Sequence, residues 1–159
     1  ATAKERGVVV CGTDMMSFST PELAWGLILS LARQIPKEDQ LLRAGGYWQT
    51  TVGIGLKGQT LGIVGLGRLG VPMAKIGQAF GMKVIAWSPN LTLEHTAKVG
   101  VILATKKELF SKADFITIHM PLSDRSRGIV GAEEIKLMKS SAFLINTSRG
   151  PLVSETSGE

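Results

Sequence analysis

A turn built from three glycines is the first feature of this sequence with a clear chemical use. Gly65, Gly67 and Gly70 form the pattern G-x-G-x-x-G, with Arg68 and Leu69 inside it. The first glycine permits a tight bend, the second lets the backbone approach a pyrophosphate, and the third lets a helix pack closely on a strand. Amides at the start of that helix favour phosphate, and Arg68 adds positive charge. Because the pattern falls between a predicted strand and a predicted helix, it predicts a dinucleotide site.

The residues after the next apolar run bear on which dinucleotide binds. About 20 residues after such a turn, an Asp or Glu normally binds the adenosine ribose. Here the segment VIAWSPN ends in Ser88, Pro89 and Asn90, and none of these is a carboxylate. A carboxylate repels a 2′-phosphate, whereas a serine hydroxyl donates to either ribose form and repels neither. No Arg or Lys follows directly, as strong NADP preference would require, and Glu94 lies one helical turn further on. We therefore expect a relaxed site, which accepts both NAD and NADP with a slight lean to NADP.

Apolar runs alternate with helical patterns along the chain. Strands are predicted at 7–10, 61–65, 82–87, 114–119 and 142–146. Helices are predicted at 20–34, 37–43, 69–80, 92–99 and 131–139, with a connecting segment at 47–59. Thr20 before Pro21 is typical of a helix N-cap, and Thr105 with Glu108 forms a capping box. The alternation predicts an α/β fold, a Rossmann-type doubly wound parallel sheet with helices on both faces.

Composition limits the class of protein. The 159 residues suit one domain, and a chain that is 44% hydrophobic and 19% charged is typical of a globular protein. The net charge of +5 comes from scattered Lys and Arg without a basic face, which argues against nucleic-acid binding. The apolar stretch at 23–32 is shorter than the ~20 residues of a membrane span. Cys11 is the single cysteine, so we expect a cytoplasmic protein without disulfides, and we predict no metal site.

Four blocks extend the glycine pattern into a family resemblance. They are LKGQTLGIVGLGRLG, AFGMKVIAWSP, ADFITIHMPLS and AFLINTSRGPLV, preceded by the helical block TPELAWGLILSLAR. From about residue 7 to 153 the chain resembles the nucleotide-binding domain of the D-isomer-specific 2-hydroxyacid dehydrogenases. The resemblance implies hydride transfer between a nicotinamide cofactor and a small 2-hydroxy or 2-oxo acid. It divides the chain into 1–19, a remnant of a substrate-domain strand and hinge, and 20–159, a dinucleotide-binding domain incomplete at its C-terminal end.

The resemblance also assigns roles to individual residues. Arg149, in the N-x-x-R-G block, is expected to bind the substrate carboxylate and orient the carbonyl, which suits a planar, permanently charged guanidinium. The residues matching positions that line the cofactor are His119, Met120, Pro121, Ser126, Thr147 and Ser148.

The histidines and the acidic tail are the other residues to compare with the family's acid–base pair. His119 does not match the family's catalytic histidine, which lies with a partner Glu in later blocks, and the 159 residues contain neither block. Glu155 and Glu159 in the tail SETSGE do not match that partner Glu. We therefore expect the isolated chain to be inactive. His95 is predicted to be solvated on a surface helix.

Two other functions remain alternatives, and the resemblance also implies an oligomeric state. A cofactor-sensing protein, like the transcriptional corepressors of this fold, is an alternative to the enzyme, and formate or phosphite oxidation would differ only in substrate. The resemblance implies a homodimer through the helix at 21–33 and the arm at 43–51. Tyr47 and Trp48 on that arm suit an interface. Packing of the arm on its own domain is the alternative.

Overall fold

Five strands and six helices make up the part of the chain that the computed structural model describes, residues 2–11 and 18–154. The helices are α1 (Ser19–Arg33), α2 (Ile35–Arg43), α3 (Gly70–Ala79), α4 (Leu93–Val99), α5 (Lys106–Lys112) and α6 (Ala132–Leu137). The strands are β1 (Thr60–Val64), β2 (Lys83–Trp87), β3 (Ile102–Leu103), β4 (Phe115–Ile118) and β5 (Phe143–Asn146). Short 3-10 turns occur at Ala3–Arg6 and Gly150–Leu152. No helix in these ranges is long and apolar enough to cross a bilayer.

The strands form one parallel sheet in the order β3-β2-β1-β4-β5. The chain runs outward from β1 through β2 to β3, then returns to the other side of β1 for β4 and β5. This reversal confirms the predicted Rossmann-type doubly wound sheet. In such sheets the crevice for a ligand lies outside the carboxyl ends of the strands at the switch point, here between β1 and β4.

Each face of the sheet carries its own apolar core. On β1 the alternate residues Leu61 and Ile63 belong to the core beneath α1 and α3, whereas Val64 belongs to the core beneath α5. Alternation with period two sends neighbouring side chains to opposite faces, so a strand buried on both faces is apolar throughout. β1 and β4 show this pattern, since all four residues of β4 and four of the five in β1 are buried.

Two expectations near the N-terminus are wrong. Residues 7–10 are not a strand, and the side chains of Val9 and Val10 are 83% and 77% exposed. β-branched residues favour a strand only when a neighbouring strand pairs with them, and the described residues offer none here. The expected division of the chain after residue 19 stays a prediction, and residues 12–17 of its first part lie outside the described residues.

The start of α1 also differs from the prediction. Phe18, not Thr20, is in the N-cap position, and its carbonyl accepts a hydrogen bond from the amide of Glu22 at 3.0 Å. Pro21 is therefore the third helical residue. Amides of the first turn have no partner within the helix, so a proline there costs no hydrogen bond.

The remaining boundaries agree closely with the sequence. α1 ends at Arg33 because Gln34 takes a left-handed conformation with φ of 53°, but α2 begins at Ile35, two residues before the predicted start. The capping box of Thr105 and Glu108 starts α5 as predicted. The two-residue strand β3 was not predicted, because a run this short has no periodicity to detect.

Candidate dinucleotide site

The register of the sheet brings predicted site residues together at one edge. Val64 of β1 pairs with Trp87 of β2 and with Ile118 of β4, which in turn pairs with Asn146 of β5. The residues that follow these four positions are Ser88, Gly65, His119 and Thr147. They therefore lie in this order, side by side, across the carboxyl edge of the sheet.

A groove of about 440 Å³ opens at this edge. Its lining in the described chain is Gly65, Leu66, Gly67, Ser88, Asn90, Leu91, Thr92, His95, His119, Met120 and Pro121. Seven of these were predicted cofactor contacts. The predicted contacts that do not line it are Arg68, Leu69, Gly70, Pro89, Ser126, Thr147 and Ser148.

Two glycines of the turn are fixed by their protein neighbours. Gly65 has φ of +101°, and a Cβ there would lie 2.5 Å from the carbonyl oxygen of His119. At Gly70, the first residue of α3, a Cβ would collide with the carbonyl oxygen of Gly65 and lie 3.2 Å from Ile63 Cγ2. Both positions exclude a side chain, because helix, turn and β4 approach each other too closely.

Gly67 is different, because no protein atom lies within 4 Å of where its Cβ would be. Packing of the described chain does not require a glycine at this position, which is exposed and lines the groove. A ligand that approaches the backbone does require it. The amides of the first turn of α3 and the helix dipole favour an anion beside this backbone. The arrangement fits the pyrophosphate of a dinucleotide.

His119 is a buried, uncharged residue in the lining of the groove. It is 7% exposed, and its Nε2 is hydrogen-bonded to Thr117 Oγ1 at 2.8 Å. Burial lowers the pKa of His119 from its ordinary 6.5 to about 4, because desolvation disfavours the imidazolium. The ring is therefore uncharged near pH 7.

Two buried polar atoms at the carboxyl edge have no hydrogen-bond partner in the described part of the protein. They are His119 Nδ1 and Thr147 Oγ1, and a third such atom, Trp25 Nε1, lies in the core under α1. An unpaired buried polar group costs about 1–3 kcal/mol. Two of them directly after adjacent strands, at the carboxyl edge where such sheets bind ligands, fit a polar ligand such as a dinucleotide.

Comparison with known proteins decides the family. The family described as D-isomer specific 2-hydroxyacid dehydrogenase, NAD binding domain, matches residues 25–157. The chain belongs to this family. The predicted resemblance is thereby confirmed, and the groove lies in an NAD-binding domain.

The matches to known proteins cover nearly all of this chain, whereas this chain covers only part of each known protein. The chain is 37% identical to glyoxylate reductase of Aeropyrum pernix, over 95% of this chain and 48% of that protein. It is 42% identical to D-3-phosphoglycerate dehydrogenase of Methanocaldococcus jannaschii, over 96% of this chain and 30% of that protein. A solved D-lactate dehydrogenase from Aquifex aeolicus, complexed with NAD and lactic acid, superposes with a TM-score of 0.84 at 29% identity. That match covers 96% of this chain and 46% of the other. The chain thus spans half or less of these dehydrogenases.

Two predicted cofactor contacts, Ser126 and Ser148, stabilise the loops around the groove through their hydroxyl groups. The Ser126 hydroxyl donates to the Pro121 carbonyl at 2.7 Å and accepts from the Ser123 amide at 2.8 Å, which closes the loop after β4. The Ser148 hydroxyl donates to the Ile118 carbonyl at 2.8 Å. Thr147, between β5 and Ser148, contributes the unpaired buried hydroxyl.

Arg149 lies beyond the groove, after β5. Asn146 fixes the turn before it, because its side chain accepts from the Ser148 amide at 3.0 Å and donates to the Arg149 carbonyl at 2.9 Å. The guanidinium is exposed and donates through Nη1 to the Ser148 carbonyl at 2.9 Å. No ion pair holds it within residues 2–11 and 18–154. The structure does not bring Arg149 together with the groove-lining residues.

Four groove residues were not predicted: Leu66, Leu91, Thr92 and His95. His95 is exposed, as expected, but its Nε2 lies 3.0 Å from the carbonyl oxygen of Leu66 inside the glycine turn. Thr92 caps α4 by accepting from the His95 amide at 3.2 Å. The helix start was visible in the sequence. The contact between α4 and the turn depends on how β2 sits beside β1, and no local pattern reports this.

The buried neutral His119 predicts a loss of stability in mild acid. The unfolded chain binds a proton at this histidine below about pH 6.5, whereas the folded chain resists it until about pH 4. The free energy of unfolding therefore falls as the pH falls through this window, by about 2 kcal/mol between pH 7 and pH 5. Urea unfolding of the wild type and of His119→Gln, which cannot titrate, measures the effect as a difference. Equal pH slopes for the two proteins would contradict the prediction.

Proposed function

We propose that this chain is the cofactor-binding part of an oxidoreductase that transfers a hydride between a nicotinamide cofactor and C2 of a small 2-hydroxy or 2-oxo acid. The observation that carries the proposal is the groove at the switch point of the sheet, where Gly67 leaves the backbone open to a ligand. The names of the relatives, which include reductases and dehydrogenases of such acids, support the substrate class. We also propose that residues 1–19 are a remnant of a substrate-domain strand and hinge, and that residues 20–159 form the dinucleotide-binding domain.

In this proposal the chain binds and orients the cofactor. Gly67 and the first turn of α3 hold the pyrophosphate, and Arg68 adds charge from the exposed side of the turn. His119 Nδ1 and Thr147 Oγ1 meet polar groups of the ligand, which gives both buried atoms a partner. When bound, the nicotinamide supplies the hydride chemistry. The apolar side chain of Met120 helps to keep water out of the groove.

The adenosine end of the groove favours neither cofactor strongly. Ser88 and Asn90 line it where a carboxylate would select NAD, and both side chains donate hydrogen bonds without carrying charge. Thr92 adds a third neutral polar side chain. We therefore propose a relaxed site for NAD and NADP with a slight lean to NADP.

Arg149 is the proposed substrate-binding residue. Its exposed guanidinium has no carboxylate partner in the described chain, so its bidentate face is open to a substrate carboxylate. Proton exchange at the substrate oxygen needs a general acid and base. The buried, neutral His119 does not suit that role, and the family's Glu and His blocks are not within these 159 residues. The cofactor-sensing protein stays the second candidate for this reason.

A homodimer through α1 and the arm is the proposed assembly, in a cytosolic protein as the single cysteine suggests. Glu38 of α2 fixes the arm, because its carboxylate accepts from both the amide and the hydroxyl of Thr50 and Thr51, at 2.7–3.0 Å. The hydroxyl of Thr51 contributes most to lowering the pKa of Glu38 to about 2. The arm is thus held in place while Tyr47 and Trp48 are 91% and 73% exposed, which favours an interface over packing on the same domain.

The proposed cofactor role predicts that Gly67→Ala folds normally but binds poorly. We expect NADH and NADPH to bind the wild type within tenfold of each other, and Gly67→Ala to weaken both by about tenfold because its methyl group occupies the ligand's space. Fluorescence titration measures binding, and urea unfolding checks the fold. Gly55→Ala is the matched control, because that glycine also has no atom within 4 Å of its Cβ position. NADH binding at least tenfold tighter than NADPH would overturn the relaxed site.

The isolated chain is expected to bind a reduced cofactor without oxidising it. Mixing the 159-residue chain with NADH or NADPH and small 2-oxo acids should give no substantial loss of absorbance at the nicotinamide band, because the acid and base are absent from these residues. Substantial turnover would contradict this. A longer coding sequence with the Glu and His blocks favours the enzyme, and one without them favours the sensor.

The dimer proposal predicts that Trp48→Ala shifts the protein toward the monomer. An interface loses most affinity when a large buried aromatic is removed, commonly 2 kcal/mol or more, or about thirtyfold in Kd. Light scattering over a concentration series measures the mass. Leu93→Ala, at a side chain that is 70% exposed on α4, is the control and should leave the mass unchanged. A wild type that stays monomeric at high concentration would refute the dimer.

A further inference from the structure

The groove holds two ionisable side chains with different surroundings. Of the eleven residues that line it in the described chain, His95 and His119 can change charge. His119 is buried, whereas His95 is exposed on the first turn of α4. A histidine is the side chain whose charge changes between about pH 5 and pH 8. His95 is therefore the groove residue that can supply a positive charge to a ligand.

One ring nitrogen of His95 is already bound. Nε2 lies 3.0 Å from the carbonyl oxygen of Leu66, and a carbonyl only accepts, so Nε2 carries the hydrogen. The contact fixes the ring between α4 and the glycine turn. Nδ1 has no hydrogen-bond partner among the described residues. In the neutral ring Nδ1 is an acceptor, and after protonation it becomes a second donor.

His95 shares the groove with the residues that follow β2. It lines the groove with Ser88 and Asn90, which follow β2 where a ribose-binding acid usually lies. Neither Asp, Glu, Lys nor Arg is among the lining residues. The 2′-phosphate of NADP is the group that distinguishes the two cofactors at this ribose, and a positively charged donor binds it more strongly than a neutral one.

The other charged side chains on the elements around His95 lie outside the groove lining. On α4, Glu94 and Lys98 pair with each other at 2.7 Å. The turn contributes the exposed Arg68, α3 contributes the exposed Lys75, and β3 carries no ionisable residue. None of them forms an ion pair with His95 within the described ranges.

We propose that His95 determines cofactor preference by binding the 2′-phosphate of NADP in its protonated form, so that selectivity for NADP increases as the pH falls. A proton from solvent adds to Nδ1, Nε2 keeps its bond to Leu66, and the new Nδ1–H donates to a phosphate oxygen. NAD has a hydroxyl at this position and gains nothing from the charge. The proposal rests on the proposed cofactor function and names the residue that tunes it.

Titration of both oxidised cofactors against pH tests the proposal. The Kd of NAD⁺ and of NADP⁺ is measured by calorimetry near pH 5.5, 6.5 and 8 for the wild type and for His95→Gln. Gln keeps a donor for the Leu66 carbonyl but cannot be protonated. In the wild type we expect the ratio of the NAD⁺ to the NADP⁺ Kd to rise about tenfold from pH 8 to pH 5.5. In His95→Gln it should stay flat or fall, because the phosphate itself gains a proton near pH 6.

A spectroscopic measurement separates direct contact from a structural effect. By linkage, NADP⁺ should raise the NMR titration midpoint of the His95 ring by about one pH unit, and NAD⁺ should leave it unchanged. Lys98→Gln, which removes a charge from the same helix outside the groove, should behave as the wild type.

Two results would overturn the proposal. If wild type and His95→Gln bind both cofactors with parallel pH profiles, the role of His95 is refuted while the cofactor function stands. If neither cofactor binds the wild type at any pH, both are refuted.

Discussion

The backbone of the glycine turn lies against two neighbours at once, and the geometry of the site depends on this close approach. Gly65 leaves no room for a side chain beside the carbonyl of His119, at the end of β4. Gly70 leaves none beside the carbonyl of Gly65, which sets the start of α3 directly after β1. Helix and turn therefore sit at the switch point of the sheet, where the parallel strands present their carboxyl ends. A larger residue at Gly65 would collide with the backbone after β4, and one at Gly70 would collide with the turn at Gly65.

The groove that results is lined by apolar and polar side chains, and none of them carries a permanent charge. Its polar side chains are neutral or titratable, and the Lys and Arg near it are exposed outside the lining. Binding of an anionic cofactor then depends on backbone amides and the dipole of α3, which act on phosphate whatever the nucleotide. In the proposed function, discrimination between NAD and NADP falls to the few side chains after β2 and at the start of α4. Because the desolvated His119 stays neutral, the groove wall at the end of β4 is uncharged.

Most of the fold was predictable because its signals are local. The runs of β1 and β4 are buried on both faces and are largely apolar, and the apolar runs of β2 and β5 also stand out against polar helices and turns. The capping box at Thr105 and the left-handed Gly100 after α4 mark helix ends by backbone chemistry that a sequence shows directly. The failures have different causes. Val8 to Val10 look like a strand, yet a strand exists only with a partner. β3 has a partner but is too short to show a pattern.

The sequence by itself determined the alternation of strands and helices, the glycine turn, the family and the absence of a carboxylate after β2. Each depends on residue type and spacing within a short window. Only the tertiary structure decided which predicted residues share a groove, because that follows from the register of four strands distant in sequence. It brought His119 beside Gly65 and His95 onto the Leu66 carbonyl, and it left Arg149 outside the lining. Contacts between elements far apart in the chain have no local signature, so they appear only when the sheet is assembled.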